Sequence, residues 1–431
     1  MKKNKHVSLN LNIRGITRSP TLAINETSKQ LESKGHTIYR MGLGQSPFPV
    51  PVPVVEALKM NAHQKDYLPV HGLEALRKAV AHFHRQKDDV HIKSNNVLIG
   101  PGSKELIFLL QLVYYGEIIL PTPCWVSYAP QAKIIGRNIK HIHTTFETKW
   151  RITPEQLEAS LMSEHDQYMP RLMIINYPSN PDGGTYSTYE LQQIARIAKK
   201  YEIVILSDEI YGQIHHKGRH VSLARFYPEG TIISSGLSKW CGAGGWRLGT
   251  FAFPSNFDWL MNAMAGVASE TYTSVSAPIQ YAAVRAFHGG IKIERYLHHV
   301  RRILSYIGKR SAEILMKAGI KVHPPDGAFY LFIDLSPFSE KLKNKGITDS
   351  RALCEKLLEE TGVAILPGVS FHRPQKELTA RLAYVNFDGP KALAMSETIP
   401  LSENLPQDFG DYYCPSVFKA IHKIAEWVND T

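Results

Sequence analysis

The stretch TIISSGLSKWCGAGGWRLGT, Thr231–Thr250, decides how the rest of the chain is read. It opens on a short apolar run of the kind that forms a buried strand, passes Ser238 and Lys239, crosses a glycine-rich turn and reaches Arg247. A lysine leaving a buried strand is not hydrated like a surface lysine, so its amine is available as a nucleophile. The arginine further on offers a planar fork for an anion beside that amine. Taken alone, Lys239 reads more readily as an exposed lysine at a strand end, so the neighbouring stretches carry the decision.

Other runs on either side repeat a strand followed by a polar or glycine turn. VLIGPGSKELIFLLQLV, residues 97–113, reads as strand, glycine turn and amphipathic helix opening at Ser103. The free amides and positive dipole end of such a helix make a ready phosphate site, although no Gly-Lys-Ser/Thr follows to make it a P-loop. EIILPTPCWVSY, residues 117–128, is a second strand with a proline-kinked turn at Trp125. RLMIINYPSNPDGGTYS, residues 171–187, is a continuous apolar strand of the buried parallel kind, ending in a turn that holds Asn180 and Asp182. Ser187 and Glu190 then form a capping-box pattern, and Leu191, Ile194, Ala195 and Ala198 give the following helix an apolar stripe. In IVILSDEIYGQIHH, residues 203–216, Asp208 ends another buried strand, where a carboxylate is costly unless paired. His215 and His216 are expected on a solvated loop.

These blocks, in this order, resemble the class I aminotransferases, pyridoxal 5'-phosphate-dependent enzymes of fold type I, over about residues 19–389. The central stretch is similar to the family's S-x-S-K-x(7)-R-x-G, with Gly236 in place of the first serine, leaving Ser238, with Ser235, to supply the hydroxyl contact. The resemblance implies that Lys239 holds the cofactor covalently, that Arg247 with Gly102, Ser103 and Lys104 receives its phosphate, and that Trp125 stacks on its ring. It implies that Asn180 and Tyr211 face the ring's phenolic oxygen and that Asp208 pairs with the ring nitrogen. Gly44, in IYRMGLGQSPFPVP, matches a glycine whose amide touches the substrate carboxylate, although Gln45, Ser46 and Pro47 depart from the usual E-P-D. Asn180 also lies on the substrate side, and Arg381, in ARLAYVNFDG, matches the arginine that clamps the α-carboxylate. Tyr67, in YLPVHGLEALRKAVAHF, matches a tyrosine that reaches the cofactor phosphate of a neighbouring subunit, which implies a homodimer with shared active sites.

The fold so implied is α/β, with a large domain built on a mostly parallel sheet covered by helices and a small α/β domain made from both chain ends. We place an N-terminal arm and part of the small domain in residues 1–60, the large cofactor-binding domain in 61–320 and the small C-terminal domain in 321–431. Residues 1–18 are expected as an arm on the surface or against a partner, and a helix is expected from Ser19-Pro20 to about Ser33. PPDGAFYLFIDL and GVAILPGVSF belong to the small lobe. Residues 391–415 exceed the family's shorter connection and are expected as an ordered loop or lid over the substrate side-chain pocket, before a closing helix at 416–428.

The 431 residues are 43% hydrophobic, enough for a large core, and the net charge of +11 invites nucleic acid as a partner. The basic residues are dispersed, however, and no aromatic-interleaved basic motif appears, so no nucleic acid is expected. Four scattered cysteines, without metal-like pairing, point to a reduced cytoplasmic protein with no metal site, and no apolar run approaches membrane length. The implied activity is ping-pong transfer of an amino group from an L-amino acid to a 2-oxo acid, with 2-oxoglutarate as the family's usual acceptor. A lyase, decarboxylase or synthase on the same fold shares Lys239, Asp208 and Arg247, and a non-catalytic cofactor-binding regulator is the more distant alternative.

Overall fold

The computed structural model describes residues 9–16, 18–162 and 169–430. After a two-residue strand, β1 (Tyr39–Arg40), come the seven strands of the central sheet. They are β2 (Val97–Gly100), β3 (Glu117–Thr122), β4 (Ile139–His143), β5 (Arg171–Asn176), β6 (Val204–Asp208), β7 (Thr231–Gly236) and β8 (Gly249–Ala252). Their spatial order is β2-β8-β7-β6-β5-β3-β4, and only β8 runs against its neighbours.

The apolar runs form strands buried on both faces, and the period of two decides what each residue meets. Leu172, Ile174, Leu206 and Ile232 join one core with Leu106 and Leu110 of the helix Ser103–Val113 and Met264 of the helix Asp258–Glu270. Their alternates Met173, Ile175 and Ile205 pack on Leu191, Ile194 and Ala198 of the helix Thr188–Lys200. That helix starts as its sequence requires: Glu190 N–H donates to Ser187 Oγ at 3.2 Å, and Ser187 N–H donates to Glu190 Oε2 at 2.7 Å. Loss of such a cap costs about 1 kcal/mol.

The remaining strands are β9 (Tyr330–Asp334), β10 (Val363–Ala364), β11 (Leu366–Pro367) and β12 (Thr379–Ala383). β11, β12 and β9 form an antiparallel sheet, while β1 pairs parallel with β10, Tyr39 opposite Val363, so segments from opposite ends of the chain meet in one small lobe. The helix Pro20–Ser33 begins with proline at its first turn, as expected. Residues 9–16 and 18 lie largely at the surface, and the rest of the expected arm lies outside the described residues. The closing helix, Pro415–Asp430, buries Val417, Ile421, Ile424 and Val428 in one i, i+4, i+7 stripe. Each such burial contributes at most about 1.5–3 kcal/mol. Among the described residues no helix is long and apolar enough to cross a membrane.

Two expectations are corrected. Residues 391–415 are not a lid over the central cavity: they run from the helix Gly389–Thr398 through a connection to a short helix, Phe409–Tyr413, and none of them lines that cavity. The connection is laced to the helix Ile291–Lys317, because Arg302 donates to the carbonyls of Ile399, at 2.9 Å, and Pro400, at 3.0 Å, and the Tyr306 hydroxyl donates to Gln407 O at 2.6 Å. Nor are His215 and His216 in a solvated loop. His215 is buried and His216 lies between backbone carbonyls of the small lobe.

Candidate functional site

The carboxyl ends of β2, β3, β5, β6 and β7 open on one edge of the sheet, where ligands of such sheets bind. There a cavity of about 590 Å³ is lined by Gly44, Ser103, Lys104, Trp125, Asn180, Asp208, Tyr211, Ser238, Lys239 and Arg247, together with Tyr128, Asn176 and others. The sequence-expected residues are therefore brought together, with four qualifications. Gly102 stands behind Arg247, Arg381 lies just beneath Asn180, and Tyr67 is elsewhere, 90% exposed in a loop. Ser235 is buried in β7 outside the cavity, so of the two serines only Ser238 reaches it. Gly236 is explained by space: a Cβ there would lie 2.7 Å from Leu248 O and 3.0 Å from Gly249 Cα, both backbone atoms.

Lys239 follows β7 and donates to Gly44 O at 3.0 Å, with its Nζ 5.5 Å from the Tyr211 ring centroid and 5.7 Å from that of Phe329. Burial, reinforced by the Arg381 charge and opposed by Asp208, lowers its pKa to about 8. About a tenth of the amine is therefore neutral at pH 7, far more than for an ordinary lysine. Asp208, at the end of β6, accepts from the Tyr128 hydroxyl at 2.5 Å and the Ile210 N–H at 3.4 Å. Those bonds do not outweigh burial, which raises its pKa to about 6.

Across the cavity Lys104 Nζ lies 5.1 Å from the Trp125 ring centroid, and partial desolvation plus Arg247 lower its pKa. Arg247 takes a left-handed conformation, φ 54°, and donates to Gly244 O at 2.9 Å. Its guanidinium closes over Gly102, whose own φ is 94° and where a Cβ would come within 2.2 Å of Arg247 Nη2. Only glycine fits there without displacing the cation. Among the described residues Lys104, Lys239 and Arg247 make no ion pair. The positive N-terminal end of the helix Ser103–Val113 adds to this anion-seeking corner.

Arg381, in β12, is 1% exposed. It donates to Asn180 Oδ1 at 3.0 Å and to the Gly42 carbonyl, lies 4.6 Å from the Tyr330 ring centroid, and leaves its Nε unpaired. A buried arginine with no carboxylate partner among the described residues is a seat for one. Tyr211 and Tyr330 share a hydroxyl hydrogen bond at 2.9 Å, and burial raises the pKa of both.

Three functional neighbours were missed by sequence reasoning. Tyr128 bonds Asp208, Asn176 accepts from Asn180 N–H at 2.8 Å, and Tyr330 links Tyr211 to Arg381. A signal existed for Tyr128, three residues after Trp125, and for Asn176, closing an apolar strand.

A family model described as "Aminotransferase class I and II" matches residues 37–384. An aspartate aminotransferase from Bacillus sp. (strain YM-2) is 33% identical over 382 residues, 86% of this chain and 93% of that protein. An asparagine–oxo-acid transaminase from Streptococcus mutans is 31% identical over 85% of this chain and 92% of that protein. Among solved structures, an aspartate aminotransferase from Thermus thermophilus with maleate superposes with a TM-score of 0.81 at 26% identity, covering 97% of this chain and 99% of that one.

Proposed function

Because the chain belongs to the class I and II aminotransferase family, we propose that this cavity moves an amino group from an L-amino acid to a 2-oxo acid with pyridoxal 5'-phosphate as cofactor. One observation carries the reading: a lysine with pKa about 8 shares the cavity with a buried carboxylate at about 6 and with two further cations, Lys104 and Arg247, that have no ion-pair partner among the described residues. The residues present fit the cofactor. An anion belongs where the helix N-terminus at Ser103 meets Lys104, Ser238 and Arg247, and a cationic ring nitrogen belongs beside Asp208.

When bound, the cofactor supplies an aldehyde that accepts the amino group and a ring that withdraws electrons. Asp208 would hold the ring nitrogen protonated, Trp125 would cover one face, and Asn180 and Tyr211 would face the ring hydroxyl. Arg381 would clamp the substrate's α-carboxylate in a planar fork, with the Gly44 amide beside it. Lys239 would hold the cofactor's aldehyde carbon and, as a free amine, carry the substrate's α-proton as base and then acid, a task suited to its lowered pKa.

The test is product analysis on protein loaded with pyridoxal 5'-phosphate, given aspartate and then asparagine, the amino acids in the relatives' names, with 2-oxoglutarate as acceptor. Glutamate should appear in step with a 2-oxo acid from the donor. Lys239→Ala should lower this rate by about 10⁴-fold or more, as loss of a nucleophile that acts in every step does. Carbon dioxide or ammonia as the product, without the paired 2-oxo acid, would replace this reading with a decarboxylase or lyase.

The proposal includes a second copy of the chain. Tyr67 follows the helix Val52–Asn61, on which Val52 and Met60 are 70% and 74% exposed, so this face is suited to an interface. Across it Tyr67 would reach the partner's phosphate site. Sedimentation should report a dimer, and Tyr67→Phe should weaken cofactor affinity about fivefold, the worth of one hydrogen bond, while leaving the dimer intact. The four free, buried cysteines are compatible with a reducing, cytoplasmic setting.

A further inference from the structure

His216 lies outside the cavity yet holds part of its wall. It sits between the segment that follows β6 and the turn Pro325–Ala328 that leads into β9. Its Nδ1 lies 3.2 Å from Pro325 O, its Nε2 lies 3.3 Å from Ala328 O, and its backbone N–H donates to Asp326 O at 2.8 Å. His215 forms an antiparallel bridge with Gly327. From the other side the Asp326 and Gly327 amides donate to Gly183 O at 2.9 and 3.0 Å. A Cβ on Gly327 would come within 2.5 Å of Pro178 Cγ, so the turn has no slack.

Ala328 carries φ 54°, a left-handed conformation that an L-residue with a side chain adopts only when its surroundings impose it. The two residues after it enter the site. Phe329 presents its ring centroid 5.7 Å from Lys239 Nζ, and the Tyr330 ring lies 4.6 Å from the Arg381 guanidinium while its hydroxyl meets Tyr211 at 2.9 Å.

We propose that His216 is a positioning residue: lodged between the carbonyls of Pro325 and Ala328 and donating to one of them, it fixes the turn that aims Phe329 at Lys239 and Tyr330 at Tyr211 and Arg381. Burial lowers the His216 pKa to about 4, so the ring is neutral near pH 7 and carries one N–H for two carbonyls. The clamp therefore bonds one carbonyl at a time and fills the space between both. Its kinetic consequence rests on the aminotransferase reading, whereas its structural consequence does not.

The experiment compares wild type with His216→Leu, which keeps bulk but no donor, and His216→Asn, which keeps a donor. In cofactor-free protein, exchange of the Asp326 and Gly327 amides should accelerate about tenfold in His216→Leu and by less in His216→Asn, as expected when a local opening becomes easier. In loaded protein, His216→Leu should raise KM for the amino acid about tenfold with a smaller change in kcat, since it is the carboxylate clamp that loses its platform. The pH midpoint of the cofactor's visible absorbance should also shift, because Phe329 faces Lys239. If His216→Leu does not fold, the same readouts on His216→Asn decide. A lowered melting temperature with exchange, KM and the absorbance midpoint all unmoved would make His216 merely structural and overturn the proposal. If the loaded protein performs no transamination, the exchange result still stands as a test of the clamp, and the function reading alone fails.

Discussion

Asp208 and Glu209 are consecutive, both are buried, and they face opposite fates. Glu209 is surrounded by donors: His220 Nε2 at 2.8 Å on one oxygen, and the hydroxyls of Ser207 and Ser222, each at 2.7 Å, and of Tyr177, at 3.3 Å, on the other. His220 is the charge partner, and despite burial its presence lowers the Glu209 pKa, while Glu209 raises that of His220. Asp88 adds to the same network and takes its own donor from His84 at 2.7 Å. Candidate ligand atoms of Asp88, Glu209 and His220 lie within 4.8 Å of one another, but those of Glu209 are already committed to protein donors. Asp208 has a tyrosine hydroxyl, a long amide contact and only the Lys239 charge nearby, too little to offset burial, which raises its pKa to about 6. The difference separates structural from chemical charge: a buried carboxylate with its partner supplied by the fold holds the chain together, and one left short of a partner is kept for a ligand.

The largest effect expected from this contrast is kinetic. Asp208→Asn should slow the half-reaction of the loaded enzyme by about 10³-fold, the scale of losing a preorganised charge against the developing transition state. Glu209→Gln should change that rate by less than about threefold in the folded protein, since nothing in its network touches the cavity. Single-turnover absorbance on both variants checks the pair, and equal losses would erase the distinction.

The next effect reverses the order of the two residues. Glu209→Gln removes the hydrogen-bonded member of a buried pair and leaves His220 with only the Asp88 charge nearby, so urea unfolding of the cofactor-free protein should show a loss of about 3 kcal/mol. Its pH dependence follows from the two shifts. The depressed Glu209 contributes stability above the ordinary carboxylate pKa, which is lost as pH falls through its folded value. The raised His220 contributes below the ordinary imidazole pKa, and that part is lost as pH rises through its folded value. The penalty of Glu209→Gln should therefore be greatest between about pH 4.5 and 6.5. A difference that stays flat from well below that range to well above it would mean that the pair is not charged.

Much of this contrast was legible in the sequence and its key step was not. Most strands of the central sheet could be read because each holds a short apolar run, whereas β4, with the sequence IKHIH, is half polar and left no such signal; Lys239, Arg247, Asp208 and Asn180 could be placed because each stands in a short local pattern. The hydrogen-bond partner of Asp208 is the Tyr128 hydroxyl, 80 residues away, and that of Tyr211 is Tyr330, 119 residues away. Such pairs are made by the topology and leave no periodicity behind. Polarity misled in two places for the same reason. From sequence His216 is expected on a solvated loop and residues 391–415 as a loop or lid over the substrate pocket, yet the ring nitrogens of the one face backbone carbonyls and the carbonyls of the other bind Arg302 and Tyr306. A polar side chain signals water only when no buried carbonyl needs it.

The smallest expected effect tests the contrast most directly, because it predicts that removing a functional charge stabilises the protein. Asp208 titrates near 6 when folded, above the ordinary aspartate value, so the folded state holds the proton more tightly than the unfolded chain. Its contribution is favourable below the unfolded pKa and is lost as pH rises to about 6, leaving the ionised carboxylate as a cost at pH 8. Asparagine carries no such cost. In cofactor-free protein at pH 8, Asp208→Asn should therefore be about 2 kcal/mol more stable than wild type, a shift of some two units converted at about 1.4 kcal/mol per unit and discounted for relaxation. The advantage should fade by about pH 4, where both side chains are neutral. Loading with pyridoxal 5'-phosphate should reverse it, since the cationic ring nitrogen then supplies the partner that Glu209 finds in His220. An Asp208→Asn variant less stable than wild type in cofactor-free protein at pH 8 would show that the carboxylate is already satisfied, and that the two neighbours differ less than their surroundings imply.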